Sequence, residues 1–469
     1  MTDTGATGTD ELGPELIDAL RAALSDDRVL DADQAGDDYE HDECLTVAPR
    51  RPVAVVLPES TEEVAAVVRI AAERKVPITA RGSGTGLSGA ATPADGAIVV
   101  SFERMAAVLE IDPDNHVAVV QPGLRLNELD EVTAAAGLVY PVYPGEYSAS
   151  LGGNIATNAG GMRAVKYGVT RHQVLGLEMV LADGSIVRSG GKFVKATTGY
   201  DLTQLVIGSE GTLALVTEAT LRLYPRPAHQ ATVLAPFTAL EQVTAAVPRI
   251  IDSGVGPLIL EYIDILTMSA VASFTGLELG IPQEIKDTAL AYLVVMLEDG
   301  DPTRLDDDLN SVAELLHELG AIDAYVLPPA AAGQLIDARE KAFWMAKANG
   351  ADDIVDIVVP RAQIPELMEK VAALAGEYEA WIAGCGHAGD GNVHLGIFCS
   401  DDERRSRLLH ALFAAGVALG GAISGEHGIG EAKQAYFLEL EDPAKLALMR
   451  RIKAAFDPDG ILNPGTLLG

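Results

Sequence analysis

From Arg51 onward the hydrophobic positions fall into short blocks with two alternating periods. "PVAVVLP" (52–58) is a compact apolar run that predicts a strand, and "STEEVAAVVRIAAERK" (60–75) spaces its apolar residues at three and four, as an amphipathic helix does. Ser60 followed three residues later by Glu63 is a capping box that opens this helix. "VPITA" (76–80) completes a β-α-β unit. Further strands are expected at "GAIVVS", "HVAVVQPG", "VLGLEMVLADGSIVRSG" and "LALVTEATLRLYP". Most follow one another too closely to admit a helix between them, so the class is α+β rather than a doubly wound sheet.

Two prolines in "YPRPAHQ" (224–230) interrupt the pattern, and a domain boundary is expected near Pro227. Beyond it, helices such as "ALEQVTAAVPRIIDSG" alternate with strands such as "PLILEYID" and "AYLVVMLEDG". The division expected is an N-terminal tail and helical segment over 1–47, a first domain over 48–227 and a second over 228–469. The opening residues lack a basic stretch followed by an apolar core, so they read as a frayed tail and not a secretory signal. "LLHALFAAGVALGGAI" (408–423) is too short to span a bilayer and ends in a glycine pair; it reads as a buried helix.

Composition narrows the function. A formal net charge of -34 disfavours nucleic acid and anionic membranes as partners, and means that an anionic substrate needs a local cationic pocket. Cys44, Cys385 and Cys399 include no CxxC pair, which fits a reducing cytoplasm and excludes a cysteine-ligated iron-sulfur cluster within the chain.

Three glycine-rich segments carry the candidate chemistry. The first, Arg81, Gly82, Ser83, Gly84, Thr85, Gly86 and on through Ser88 to Gly89, contains a literal GxGxxG. The next residues are "AATPADG", with a proline and an Asp-Gly turn where a dinucleotide fold would start a helix. A loop whose backbone N–H groups converge on a pyrophosphate is what remains. The second segment, read as a loop, runs from Pro144, Gly145 and Glu146 through Ser150, Gly153, Asn154, Thr157 and Asn158 to Gly161, where small residues allow close approach to a flat ligand and hydroxyls and amides bond its edge. The third includes Glu210 and Gly211 in "GSEGTL". Together they suggest one extended ligand with phosphate and ring parts.

Two histidines, His387 and His394, flank the Asp-Gly-Asn turn of "GCGHAGDGNVHLG". On their own they make a hairpin with polar positions and no complete metal site. A second segment, "AISGEHGIGEAK", offers Glu426 and His427 after a short apolar strand, in what is otherwise an ordinary polar turn.

"RGSGTGLSG", "SLGGNIATNAGG", "TTGYDLTQLVIGSEGTL", "GHAGDGNVHLG", "SGEHGIGEAK" and "FDPDGILNPG", in this order from about Arg51 to the C-terminus, resemble the FAD-linked oxidoreductases of the vanillyl-alcohol oxidase fold. The similarity is to their D-2-hydroxyacid dehydrogenase branch, which includes D-lactate dehydrogenases, the flavin subunit of glycolate oxidase and D-2-hydroxyglutarate dehydrogenase. The resemblance implies an FAD-binding domain followed by a cap carrying a metal site, with Asn463 near the flavin. Some members hold flavin covalently through a histidine in the first glycine loop; none lies between Arg81 and Gly89, which implies noncovalent FAD. It further implies a divalent metal, zinc by preference, on His387, His394 and Glu426, with His427 as general base. Arg339 is implied as the ligand of the substrate carboxylate, with Lys433 a second candidate. Phe343, Trp344 and Ile354 stand where relatives handling a dicarboxylate place polar groups, which favours D-lactate or glycolate. Electrons would then pass to an external acceptor: a quinone, an electron-transfer flavoprotein or an iron-sulfur subunit. A homodimer is compatible with all of this.

Overall fold

The computed structural model describes residues 9–468. The expected frayed tail lies, for residues 1–8, outside the described residues, while a helix already runs over Thr9–Ala23. Three main sheets organise the rest. The first has the strand order Val29–Asp31, Ala54–Val56, Ile98–Ser101, Ile78–Arg81, with its last three strands parallel. Helix Thr61–Arg74 makes the crossover, its Val64, Val67, Val68 and Ala71 buried. Ser60 caps it by accepting the Glu63 N–H.

The second sheet is antiparallel: Val108–Asp112, Val117–Val120, Leu215–Arg222, Val174–Val180, Ile186–Gly190. Along Leu215–Arg222 buried and partly exposed residues alternate strictly, the mark of a strand with one face on a core. The third sheet has seven antiparallel strands in the order Tyr325–Leu327, His229–Phe237, Ala291–Asp299, Ile259–Asp264, Trp381–Gly386, Asn392–Phe398, Asp353–Val358. Helices Leu240–Asp252, Pro302–Glu318, Ile364–Glu377 and Asp402–Ala418 contribute buried apolar residues to its core, so "LLHALFAAGVALGGAI" is part of an internal helix. Among the described residues no helix is long and apolar enough to cross a membrane. The chain's end returns to the first sheet, where Leu462 bridges in parallel to Ile78.

The structure corrects three local readings. Leu151–Thr157 is a short helix, not loop, because Ser150 caps it by accepting the Gly153 N–H and Asn158 closes it in the left-handed conformation. The strand expected before Glu426 shrinks to a single bridge, Ala422 to Val358, since Gly420 and Gly421 turn the chain immediately before it. Strand His229–Phe237 begins inside the proline-rich interruption; nine consecutive pairings with Ala291–Asp299 outweigh its polar start.

Candidate active site

A cavity of about 450 Å³ runs between the glycine segments of the first two sheets and the face of the seven-stranded sheet. Of the expected cofactor residues, Gly82, Ser83, Gly84, Thr85, Gly86, Ser88, Pro144, Gly145, Glu146, Ser150, Gly153, Asn154, Thr157, Glu210 and Gly211 line it. Four do not, and their contacts say why. Arg81 turns back to donate to the His41 carbonyl at 2.6 Å. Asn158 accepts the Arg171 N–H, and Asn463 spans the Ala90 and Glu210 carbonyls at 2.9 and 2.8 Å. A Cβ on Gly161 would lie 1.9 Å from the Tyr143 carbonyl oxygen, so this glycine permits a backbone crossing. These four hold the frame around the lining residues.

His387 directly follows strand Trp381–Gly386 and His394 lies on its hairpin partner, with Cys385 opposite His394 in register. Their rings are 4.8 Å apart and edge-on. Glu426 Oε1 lies 3.1 Å from His387 Nε2 and 3.2 Å from His394 Nε2, so the two imidazoles and the carboxylate face one point. Glu261 takes the other side of His387, 2.5 Å from Nδ1, which directs Nε2 inward. Burial disfavours charge on His387, but Glu261 and Glu426 outweigh it and hold its pKa well above the usual histidine range. Burial raises Glu426, and His387 more than offsets this, so its carboxyl sits well below the ordinary range. Glu261 and Glu426 thus favour positive charge on His387, while burial lowers the pKa of His394 and keeps it neutral.

Glu261 also reaches Arg339, whose Nη2 is 2.8 Å from Glu261 Oε2. The angle falls short of a hydrogen bond: Arg339 Nε and Nη2 and Glu261 Oε2 are buried without hydrogen-bond partners. A guanidinium lining the cavity suits an anion.

The turn carrying Glu426 and His427 is organised by Asp356. This carboxylate is fully buried and accepts the N–H groups of Gly425, Glu426 and His427 at 2.9, 2.7 and 2.9 Å. Lys433 Nζ completes its shell at 2.6 Å. Lys433 is therefore committed to Asp356 and does not line the cavity, contrary to its reading as a substrate ligand. His427 lines the cavity, its buried Nδ1 3.5 Å from Asp356 Oδ1 and without a hydrogen-bond partner. Burial, resisted by Asp356 and reinforced by Lys433 and His394, lowers the His427 pKa to about 4. From the other side Glu210 accepts the N–H groups of Ile429 and Gly430 at 2.8 and 2.6 Å, and Ser88 Oγ donates to the His427 carbonyl at 2.9 Å. Burial pushes Glu210 up to about 7.

The sequence motifs did not single out Glu261 and Asp356. Their signal was present: each is a carboxylate with apolar residues on its N-terminal side in the interior of a strand, within "PLILEYID" and "DIVDIV", and a buried charge of that kind needs partners.

Sequence models of known families match two parts of the chain. Residues 52–190 match an FAD binding domain and residues 226–467 the C-terminal domain of FAD linked oxidases. An uncharacterised FAD-linked oxidoreductase of Mycobacterium tuberculosis is 58% identical over 94% of this chain and 96% of its own length. A D-lactate dehydrogenase of Anaerostipes hadrus is 37% identical, covering 97% of each chain. The crystal structure of p-cresol methylhydroxylase with substrate bound superimposes with a TM-score of 0.80 over 99% of this chain and 98% of that one, at 18% identity, a likeness of fold. The cavity residues fit FAD: the Asn154 amide nitrogen is buried at the wall with no partner, and Gly145 and Gly211 line the cavity without a side chain.

Proposed function

The chain belongs to the FAD-linked oxidases and has the two-domain, mixed helix and sheet fold of the vanillyl-alcohol oxidase type; from that membership we propose that it oxidises a D-2-hydroxy acid to the 2-oxo acid with metal assistance. The observation that carries the proposal is the convergence of His387, His394 and Glu426 beside Arg339 and His427 in one cavity. When bound, noncovalent FAD would supply the hydride acceptor and a divalent cation, zinc by preference, the Lewis acid that lowers the hydroxyl pKa. His387, His394 and Glu426 would hold the cation, and the loops from Gly82 to Ser88 and Pro144 to Thr157 the FAD.

The protein's own groups account for the rest. Arg339 would pair with the substrate carboxylate through the part of its guanidinium that lines the cavity, while Glu261 holds its Nη2 side. His427, kept neutral by burial, would take the hydroxyl proton at Nε2 while Asp356 orients the ring from the Nδ1 side. The apolar residues lining the same cavity include Phe343, Trp344 and Ile354, which suits D-lactate or glycolate better than a dicarboxylate. Electrons would leave through a separate acceptor, whether quinone, flavoprotein or iron-sulfur subunit.

The test is anaerobic bleaching of the flavin by D- and L-lactate, glycolate, malate and 2-hydroxyglutarate, with elemental analysis of the same sample. Bleaching by a D-2-hydroxy acid that disappears on metal removal and returns on metal addition is expected. Full bleaching in metal-free protein would remove the metal from the proposal.

A further inference from the structure

Glu261 stands at a junction of three elements. It lies on Ile259–Asp264, an inner strand of the seven-stranded sheet, beside Trp381–Gly386, whose end delivers His387. Its neighbours Leu260 and Tyr262 belong to the core under helices Leu240–Asp252 and Ile364–Glu377, while Ile263 belongs to a second core with Leu335 and Ala338 of helix Pro329–Glu340. Alternate residues share a face of a strand, so Glu261 is turned with Ile263 toward the helix that carries Arg339.

The two carboxylate oxygens are divided between two partners. Oε1 is 2.5 Å from His387 Nδ1 and Oε2 is 2.8 Å from Arg339 Nη2, with side-chain exposures of 1% for Glu261, 7% for His387 and 8% for Arg339. One carboxylate therefore backs both the imidazole that faces the cation cluster and the guanidinium that suits an anion. In so dry a place charges must be matched. With neutral imidazoles, Glu261, Glu426 and Arg339 together carry one net negative charge. A divalent cation on the cluster turns this into one net positive charge, which a monocarboxylate on Arg339 cancels. Without Glu261 the filled site would keep an unmatched positive charge.

We propose that Glu261 is a shared counter-ion that sets the two affinities of the site in opposite directions: through His387 it strengthens cation binding, and through Arg339 it restrains the affinity for a carboxylate, so that the acid formed can leave. The inference rests on the cation and carboxylate sites of the 2-hydroxyacid reading and adds a positioning residue to them. An imidazole with a carboxylate on Nδ1 is the stronger ligand at Nε2. An anion arriving at the guanidinium must share it with Glu261 at a distance of a few ångströms, where burial leaves little water to screen the repulsion. Glu261→Gln keeps the volume and removes the charge; its amide oxygen still accepts from one partner, but the amide nitrogen accepts from neither.

FAD-saturated, metal-stripped protein is titrated by calorimetry with Zn2+ and, separately, with propanoate, a monocarboxylate that has no hydroxyl to oxidise. Neither readout depends on turnover. In Glu261→Gln, Zn2+ should bind about ten- to hundredfold more weakly than in wild type, and propanoate roughly tenfold or more tightly. General damage to the cavity would weaken both, so parallel losses, or an unchanged affinity for either ligand, overturn the proposal. Wild-type protein that fails to bind either ligand overturns it as well. If Glu261→Gln does not retain flavin, Arg339→Met decides: it leaves Glu261 wholly to His387, so Zn2+ should bind roughly threefold or more tightly, and an unchanged or weakened affinity overturns the proposal. Opposed shifts in a protein whose flavin no 2-hydroxy acid bleaches would remove the 2-hydroxyacid reading and leave the counter-ion role of Glu261 standing.

Discussion

Lys433→Met separates a substrate-binding lysine from a structural one. Its ammonium lies 2.6 Å from Asp356 Oδ1, with side-chain exposures of 5% and 0% for lysine and aspartate. Removing one member of a buried ion pair costs about 3–5 kcal/mol because the remaining charge is uncompensated. The Asp356 carboxylate keeps the N–H donors of Gly425, Glu426 and His427, so the lower end, about 3 kcal/mol, applies. Spread over a domain of the size of the seven-stranded unit, that is roughly a 6–12 °C fall in melting temperature. Thermal denaturation of the FAD-saturated protein measures it, and steady-state kinetics on the same sample provides the contrast. The double variant Asp356→Asn/Lys433→Met should be less destabilised than the sum of the two single variants, since each single change orphans the other residue. A melting temperature unchanged from wild type, together with a KM raised tenfold or more, would refute this assignment and return Lys433 to the substrate.

Arg339→Lys keeps a cation beside Glu261 but loses the planar fork; KM for the hydroxy acid should rise roughly ten- to hundredfold, about 1.5–3 kcal/mol for a charge-assisted bond, with FAD content unchanged. His427→Asn should slow flavin reduction by about a hundredfold to ten-thousandfold while metal content stays intact, as measured by stopped-flow bleaching and elemental analysis. Because burial lowers the His427 pKa to about 4, the base is already neutral near pH 7. The wild-type reduction rate should therefore be flat above about pH 6 and fall as acid approaches that pKa, a limb the asparagine variant lacks. Acid precipitation should release yellow flavin into the supernatant, since no histidine lies in the Arg81–Gly89 loop; flavin left on the pellet would mean a covalent tether elsewhere.

The sequence alone determined what depends on local period and local chemistry. Ser60 with Glu63 marked a helix start, the closely spaced apolar runs marked an α+β class, and Pro93 after the GxGxxG removed the dinucleotide reading, because these signals act over a few residues. The family motifs named the residues of the cavity, but not their contacts. Whether Lys433 faced substrate or protein depended on Asp356, seventy-seven positions away and delivered by the antiparallel pairing of Asp353–Val358 with Asn392–Phe398. That pairing and the adjoining one with Trp381–Gly386 put Ile354, Gly396 and Ala383 in one row of the cavity wall, an adjacency with no counterpart in linear order. Glu261 illustrates the limit from the other side: its isolation among apolar neighbours announced that it must have partners, yet only the tertiary structure chose His387 and Arg339. The physical reason is that a buried charge is stabilised by whatever the fold brings within a few ångströms, and that neighbourhood is assembled by long-range strand register rather than by the residues beside it in the chain.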